Sequence, residues 1–115
     1  MARYDRKDHF HQRAKREGVR SRAYYKLDEL QRAHKLLRRG DRVIDLGCWP
    51  GGWMQAASAV VGPKGRVVGV DLAEIAPALE EPNAVALVGD LESPELAPQL
   101  REALEAPRCD VLLSD

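Results

Sequence analysis

Asp45, Asp71, Asp90 and Asp115 each close a short apolar run, and Gly47, Gly51 and Gly52 follow the first of them. An apolar strand running into a glycine-rich turn and then a helix is a common seat for nucleotide-like ligands in α/β proteins. Dinucleotide sites space their glycines as Gly-x-Gly-x-x-Gly, so that helix amides meet a pyrophosphate. Here Gly47 is followed only by Gly51 and Gly52, and Pro50 removes one amide from the turn. Asp45 adds negative charge at the same strand end.

A ligand carrying cations suits that loop better than one carrying two phosphates. S-adenosylmethionine has an ammonium, a sulfonium and no phosphate, and it is the expected cofactor. Asp71 lies about 19 residues past Gly52, where an acid can accept from a ribose diol. Asp90, closing the next run, can accept from an adenine amino group. Asp115 closes the fourth run, which in an open α/β sheet lies beside the first at the topological switch point. It should therefore stand near Gly47 and Trp53. One strand-end aspartate is ordinary turn or helix capping; several beside a glycine loop converge on one crevice.

These residues need a scaffold, and the pattern supplies one. Strands are expected over 42–46, 66–70, 84–88 and 110–113, with helices over 53–61 and 94–106. Residues 62–65, Gly-Pro-Lys-Gly, are turn chemistry, and a proline-containing loop with a helical turn should lead to the third strand. Strands alternating with helices imply a parallel, doubly wound α/β sheet of Rossmann-like type, in the order 3-2-1-4. Two further helices are expected over 4–17 and 21–34, broken at Gly18, with Ser21 capping the second. A fourth strand at the chain's end is an uncovered edge, which fits an N-terminal fragment of a longer protein.

Charge divides the chain in two. Residues 1–40 carry 13 Lys/Arg and 5 Asp/Glu, a net of +8, whereas residues 41–115 carry 5 and 13, a net of −8. A basic arm for a polyanion, joined to a body with another task, is the natural division, although a solvated helix face would also be charged. Arg20, Arg22 and Lys26 are interleaved with Tyr24 and Tyr25, a mixture that contacts phosphates and stacks on bases. Cys48 and Cys109 are far apart and the three histidines have no ligand spacing, so no metal site and a reduced, cytoplasmic setting are expected. No apolar run approaches membrane-spanning length, and a monomer is expected.

The segment from Arg20 to Leu30 (RSRAYYKLDEL), with Asp45-Leu46-Gly47 and Pro50-Gly51-Gly52-Trp53, strongly resembles the FtsJ-type RNA ribose 2′-O-methyltransferases. The likeness is strongest to bacterial members that methylate a uridine of large-subunit rRNA, and it runs along the chain from about Gly18. It implies a large-subunit rRNA or 50S particle as partner. It also implies cofactor contacts at Gly51, Trp53, Asp71, Asp90 and Asp115. Lys26 and Asp115 match the first two members of the family's Lys-Asp-Lys-Glu catalytic set; the third, a lysine, is regarded as the proton acceptor. Cys48-Trp49 stands where the family has two small residues, a departure expected to enlarge the loop.

Two other readings compete. One is a non-catalytic RNA-binding module with a vestigial cofactor pocket; the other is a nicotinamide dehydrogenase fragment, disfavoured by the glycine spacing and the basic arm. A chain ending at Asp115 carries half of the catalytic set and is expected to be nearly inactive on large ribosomal subunits. Methyl transfer equal to that of a longer chain would overturn that expectation.

Overall fold

A computed structural model describes residues 18–115. The helix expected over 4–17 lies outside the described residues. The described elements are α1 (Ala23–His34), β1 (Arg42–Leu46), α2 (Gly52–Val61), β2 (Arg66–Asp71), β3 (Ala84–Val88), α3 (Leu96–Leu104) and β4 (Val111–Ser114). The four strands form one parallel sheet in the order β3-β2-β1-β4. The expected order is therefore found, with the strands within one residue of their expected bounds.

β2 is buried along Val67, Val68, Gly69 and Val70, as a parallel strand covered on both faces must be. One face carries Val43, Val67 and Leu113 into a core completed by Met54, Ala56, Ala57 and Val61 of α2 and Leu27 of α1. On α2 the small Ala56 and Ala57 let the helix lie close to its neighbours, and all but Gln55, Ala59 and Val60 are buried. The other face is covered by α3, which buries Leu96 and Leu104. Arg42 and Arg66 are register partners, and their Nε atoms donate to the carbonyls of Leu104 and Ala103. Two cations thus meet the carbonyl end of α3, where the helix dipole favours positive charge.

Local differences from expectation have local causes. α1 begins at Ala23, and Ser21 does not cap it through its side chain; Tyr24 N–H donates instead to the Ser21 carbonyl at 3.1 Å. α2 begins one residue early at Gly52, after Gly51 with φ +108°. α3 is shorter than expected at both ends: Ser93 Oγ and Glu95 form a local turn ahead of it, and Glu105, with φ 59°, ends it. Residues 72–83 contain no helix; Ile75 buries itself in the core and Leu79 packs against it.

Gly69 is the one strand glycine that the packing demands. A Cβ there would collide with Met54 Sδ and would lie 2.7 Å from Cys48 Cβ and Sγ. Gly69→Ala is expected to cost roughly 1–3 kcal/mol by overpacking. A lower urea midpoint at unchanged m value would show it; an unchanged midpoint would contradict this packing account.

Candidate functional site

The parallel register brings every strand's C-terminal end to one edge of the sheet. Asp45 pairs with Gly69 on one side and Leu113 on the other, so Asp71 and Asp115 each lie two residues further along a neighbouring strand. The chain leaves β1 by turning over the end of β2: Gly47 and Cys48 N–H both donate to the Val70 carbonyl, at 2.8 and 3.1 Å. Trp49 N–H then donates to Asp71 Oδ2 at 3.0 Å, and Ala73 N–H donates to Oδ1 at 3.0 Å. The bonds from Ala73 and Trp49 hold the Asp71 carboxyl below its ordinary range. Each oxygen keeps a lone pair for a further donor.

Asp45 is in the opposite situation. It is 2% exposed, and its carboxylate accepts no hydrogen bond from any described residue. Burial first, then the charges of Asp115 and Asp71, push its pKa up from 3.8 to about 7. The same burial, with Asp45 and Asp71 nearby, pushes the Cys48 thiol up to about 12, which makes it a packing group and not a nucleophile.

A narrow crevice at this edge is lined by Ser21, Asp45, Gly47, Gly52, Trp53 and Asp115, among others. Lys26 Nζ, on α1, donates to Asp115 Oδ1 at 2.9 Å and lies 5.7 Å from the centroid of the Trp53 ring. Both members of that ion pair are half or more exposed. Two polar atoms of crevice-lining residues, Trp53 Nε1 and Ser21 Oγ, are buried without a partner. An unpaired buried carboxylate beside unpaired buried donors is the complement of an amino-acid zwitterion.

Of the residues singled out from sequence, the crevice gathers Asp45, Gly47, Trp53 and Asp115, with Lys26 at its rim. Asp71 joins through Trp49. Asp90 is exposed at the end of β3 and accepts from Glu92 N–H at 2.9 Å. Gly51 lies beside the crevice, close to Arg20 and Leu79. Arg22 and Lys26 are exposed, but the Arg20 guanidinium donates to the Pro77 and Ala78 carbonyls. Sequence reasoning gave Ser21 only a capping role and passed over Gln55. The signal for Ser21 was Gly52, where an added Cβ would collide with Ser21 Oγ. Among the described residues no group of three His, Cys, Asp or Glu is placed to hold a metal, and no helix is long and apolar enough to cross a membrane.

The family model for FtsJ-like methyltransferases matches residues 19–115. The chain belongs to that family. It is 47% identical over 112 residues to the ribosomal RNA large subunit methyltransferase E of Syntrophobacter fumaroxidans, covering 97% of this chain and 55% of that one. The chain spans about half the length of the curated relatives it matches. A crystal structure described as a ribosomal RNA methyltransferase of Plasmodium falciparum superposes with TM-score 0.71 at 30% identity, covering 84% of this chain and 56% of that one. Aeropyrum pernix fibrillarin, solved with natively bound S-adenosyl-L-methionine, matches with TM-score 0.53 at 28% identity over 68% of this chain and 34% of that one. The FtsJ-like fold is thus the Rossmann-like sheet expected from the strand pattern.

The raised pKa of Asp45 links stability to pH. The group ionises near 3.8 when unfolded and near 7 when folded, so its contribution to stability is full below 3.8 and is lost as pH rises toward 7. Asp45→Asn should therefore raise the melting temperature, and by more at pH 8 than at pH 5. Thermal melts across that range test it; an equal shift at both pH values would contradict the buried-charge account.

Proposed function

We propose that this chain carries the cofactor site and part of the catalytic set of an S-adenosylmethionine-dependent RNA ribose 2′-O-methyltransferase. The observation that carries the reading is Asp45, a buried carboxylate without a donor, facing two further carboxylates at the head of a glycine loop. Such a crevice is stabilised by a cation. The cofactor supplies, when bound, an electrophilic methyl on a sulfonium and an amino-acid end with both charges.

The residues of the crevice fit that group. Asp45 would hold the ammonium, while Trp53 Nε1 and the Ser21 hydroxyl are free to donate to the carboxylate. Asp71, kept ionised by two backbone N–H groups, would accept from the ribose diol. Asp90 would meet the adenine edge, and Gly47 and Gly51 would allow the backbone its close approach. A ribose 2′-hydroxyl is a weak nucleophile that must lose its proton as it attacks. Lys26, fixed by Asp115 at 2.9 Å, is a donor aimed by an ion pair and would orient that hydroxyl at the crevice rim.

The substrate we infer is a uridine of large-subunit (23S) rRNA, within the large ribosomal particle, methylated in the cytoplasm by a monomer during subunit maturation. The relatives named as large-subunit rRNA methyltransferases support this, as does the basic segment up to residue 40. Its exposed Arg22 and Lys26 lie one helical turn apart and are the proposed phosphate contacts. The crevice keeps its charged and unpartnered polar groups, which favours the enzyme over a module with a vestigial pocket.

Calorimetry with S-adenosylmethionine tests the reading. The wild-type protein should bind, and Asp71→Ala should weaken binding by tenfold or more, in line with the loss of a charge-assisted diol contact. No binding to the full-length wild type would sink the enzyme assignment, and binding of NADH in its place would favour a dehydrogenase.

A further inference from the structure

We propose that Arg20 is a positioning residue of the cofactor site, a latch holding the loop after Asp71 against the glycine loop, and not an RNA phosphate contact. The inference rests on the proposed cofactor function. Its starting point is the whereabouts of the Arg20 side chain. Nη1 donates to the Pro77 carbonyl at 2.5 Å and Nη2 to the Ala78 carbonyl at 2.7 Å. Two terminal nitrogens of one planar fork thus take two successive carbonyls of the 72–83 loop.

The backbone of Arg20 is fixed as firmly. Its N–H donates to Gln55 Oε1 at 2.7 Å, and Gln55 is a residue of α2 facing this segment. Gln55 Nε2 donates in turn to the Gly18 carbonyl at 3.4 Å and to Glu81 Oε1 at 3.5 Å. One amide side chain therefore ties both the Gly18–Arg20 segment and the far end of the 72–83 loop to α2. Between these anchors the arginine stem runs over the glycine loop. A Cβ on Gly51 would stand 2.8 Å from Arg20 Cδ and 3.4 Å from Leu79 Cδ2. The side chain thus joins three segments: the basic arm, the glycine loop and the loop that begins beside Asp71.

That arrangement matters because residues 72–83 have no secondary structure of their own. Leu72, Ala73, Glu74, Ala76, Pro77 and Ala78 are all exposed, and Ile75 and Leu79 provide the apolar anchorage. A loop so lightly held opens at low free-energy cost. Asp71 is the residue from which it departs, and Ala73 N–H of the same loop bonds its carboxylate. Holding the loop keeps that carboxylate in place. A lysine cannot substitute, since a single ammonium lacks the rigid fork that reaches both carbonyls.

Arg20→Lys and Arg20→Ala, made in the full-length protein, separate a latch from a phosphate contact. A latch predicts that both variants weaken S-adenosylmethionine by about tenfold in calorimetry, the worth of charged hydrogen bonds to two carbonyls. It also predicts faster amide exchange over 72–83 with the sheet unchanged, a readout that needs no cofactor. The slope of log K for RNA against log salt should stay as in wild type. A phosphate contact predicts the reverse: unchanged cofactor affinity, Arg20→Lys near wild type, and an Arg20→Ala salt slope reduced by about 1. That result, or unchanged exchange over 72–83, overturns the proposal. Failure of the wild type to bind the cofactor would instead strike the function itself, leaving the exchange result to judge the latch.

Discussion

The desolvated charge of Asp45 is the constraint around which this edge of the molecule is arranged. Burying a carboxylate without a donor is unfavourable, and the fold compounds it by setting Asp71 and Asp115 on the adjacent strands. The parallel register leaves little choice, because it lines up the ends of β1, β2 and β4. Each flanking acid is relieved in its own way, Asp71 by backbone N–H groups and Asp115 by the Lys26 ammonium. Of these three acids, Asp45 is the one that no described donor or cation partners. A cation in the crevice would offset the burial of that charge, which is how a binding site differs from a packed core.

The Lys26–Asp115 pair gains its meaning from the same arrangement. As an exposed ion pair it contributes little to stability, since both partners are well solvated. Its value lies in position. It connects α1, the described helix of the basic arm, to the strand end that completes the crevice, across 89 residues of sequence. Leu27, one residue on, is fully buried in the core shared with β1 and α2, so the lysine stands on an anchored helix. The helix that carries the exposed Arg22 and Lys26 is thereby fixed relative to the crevice.

Much of this was legible in the sequence because it follows from periodicity and turn chemistry. The four apolar runs, their order and the convergence of Asp45 and Asp115 needed only the rules of parallel sheets. What could not be read depends on contacts between segments distant in sequence. Ser21 looks like a helix cap, yet Gly52 draws it into a close tertiary contact that no local rule encodes. Arg20 sits in a run of cations and reads as one more phosphate contact, until the 72–83 loop supplies two carbonyls from 57 and 58 residues away. Asp90 shows the opposite limit. Its strand end was correctly placed, but its described partner is only its own turn, so its role rests on the reading of the ligand.

The Cys48-Trp49 departure from two small residues shows how the loop absorbs larger side chains. Cys48 turns inward, 4% exposed, into the space that Gly69 leaves open on β2. Trp49 turns outward, 57% exposed, while its backbone N–H stays on Asp71. One side chain is accommodated by a missing Cβ across the sheet and the other by solvent. With both side chains so placed, the backbone from Gly47 to Trp49 makes its bonds to Val70 and Asp71. A buried thiol opposite a glycine is the solution this loop adopts. The pairing makes Cys48 and Gly69 interdependent: a larger residue at either would have to be answered at the other before the glycine loop could close over Asp45.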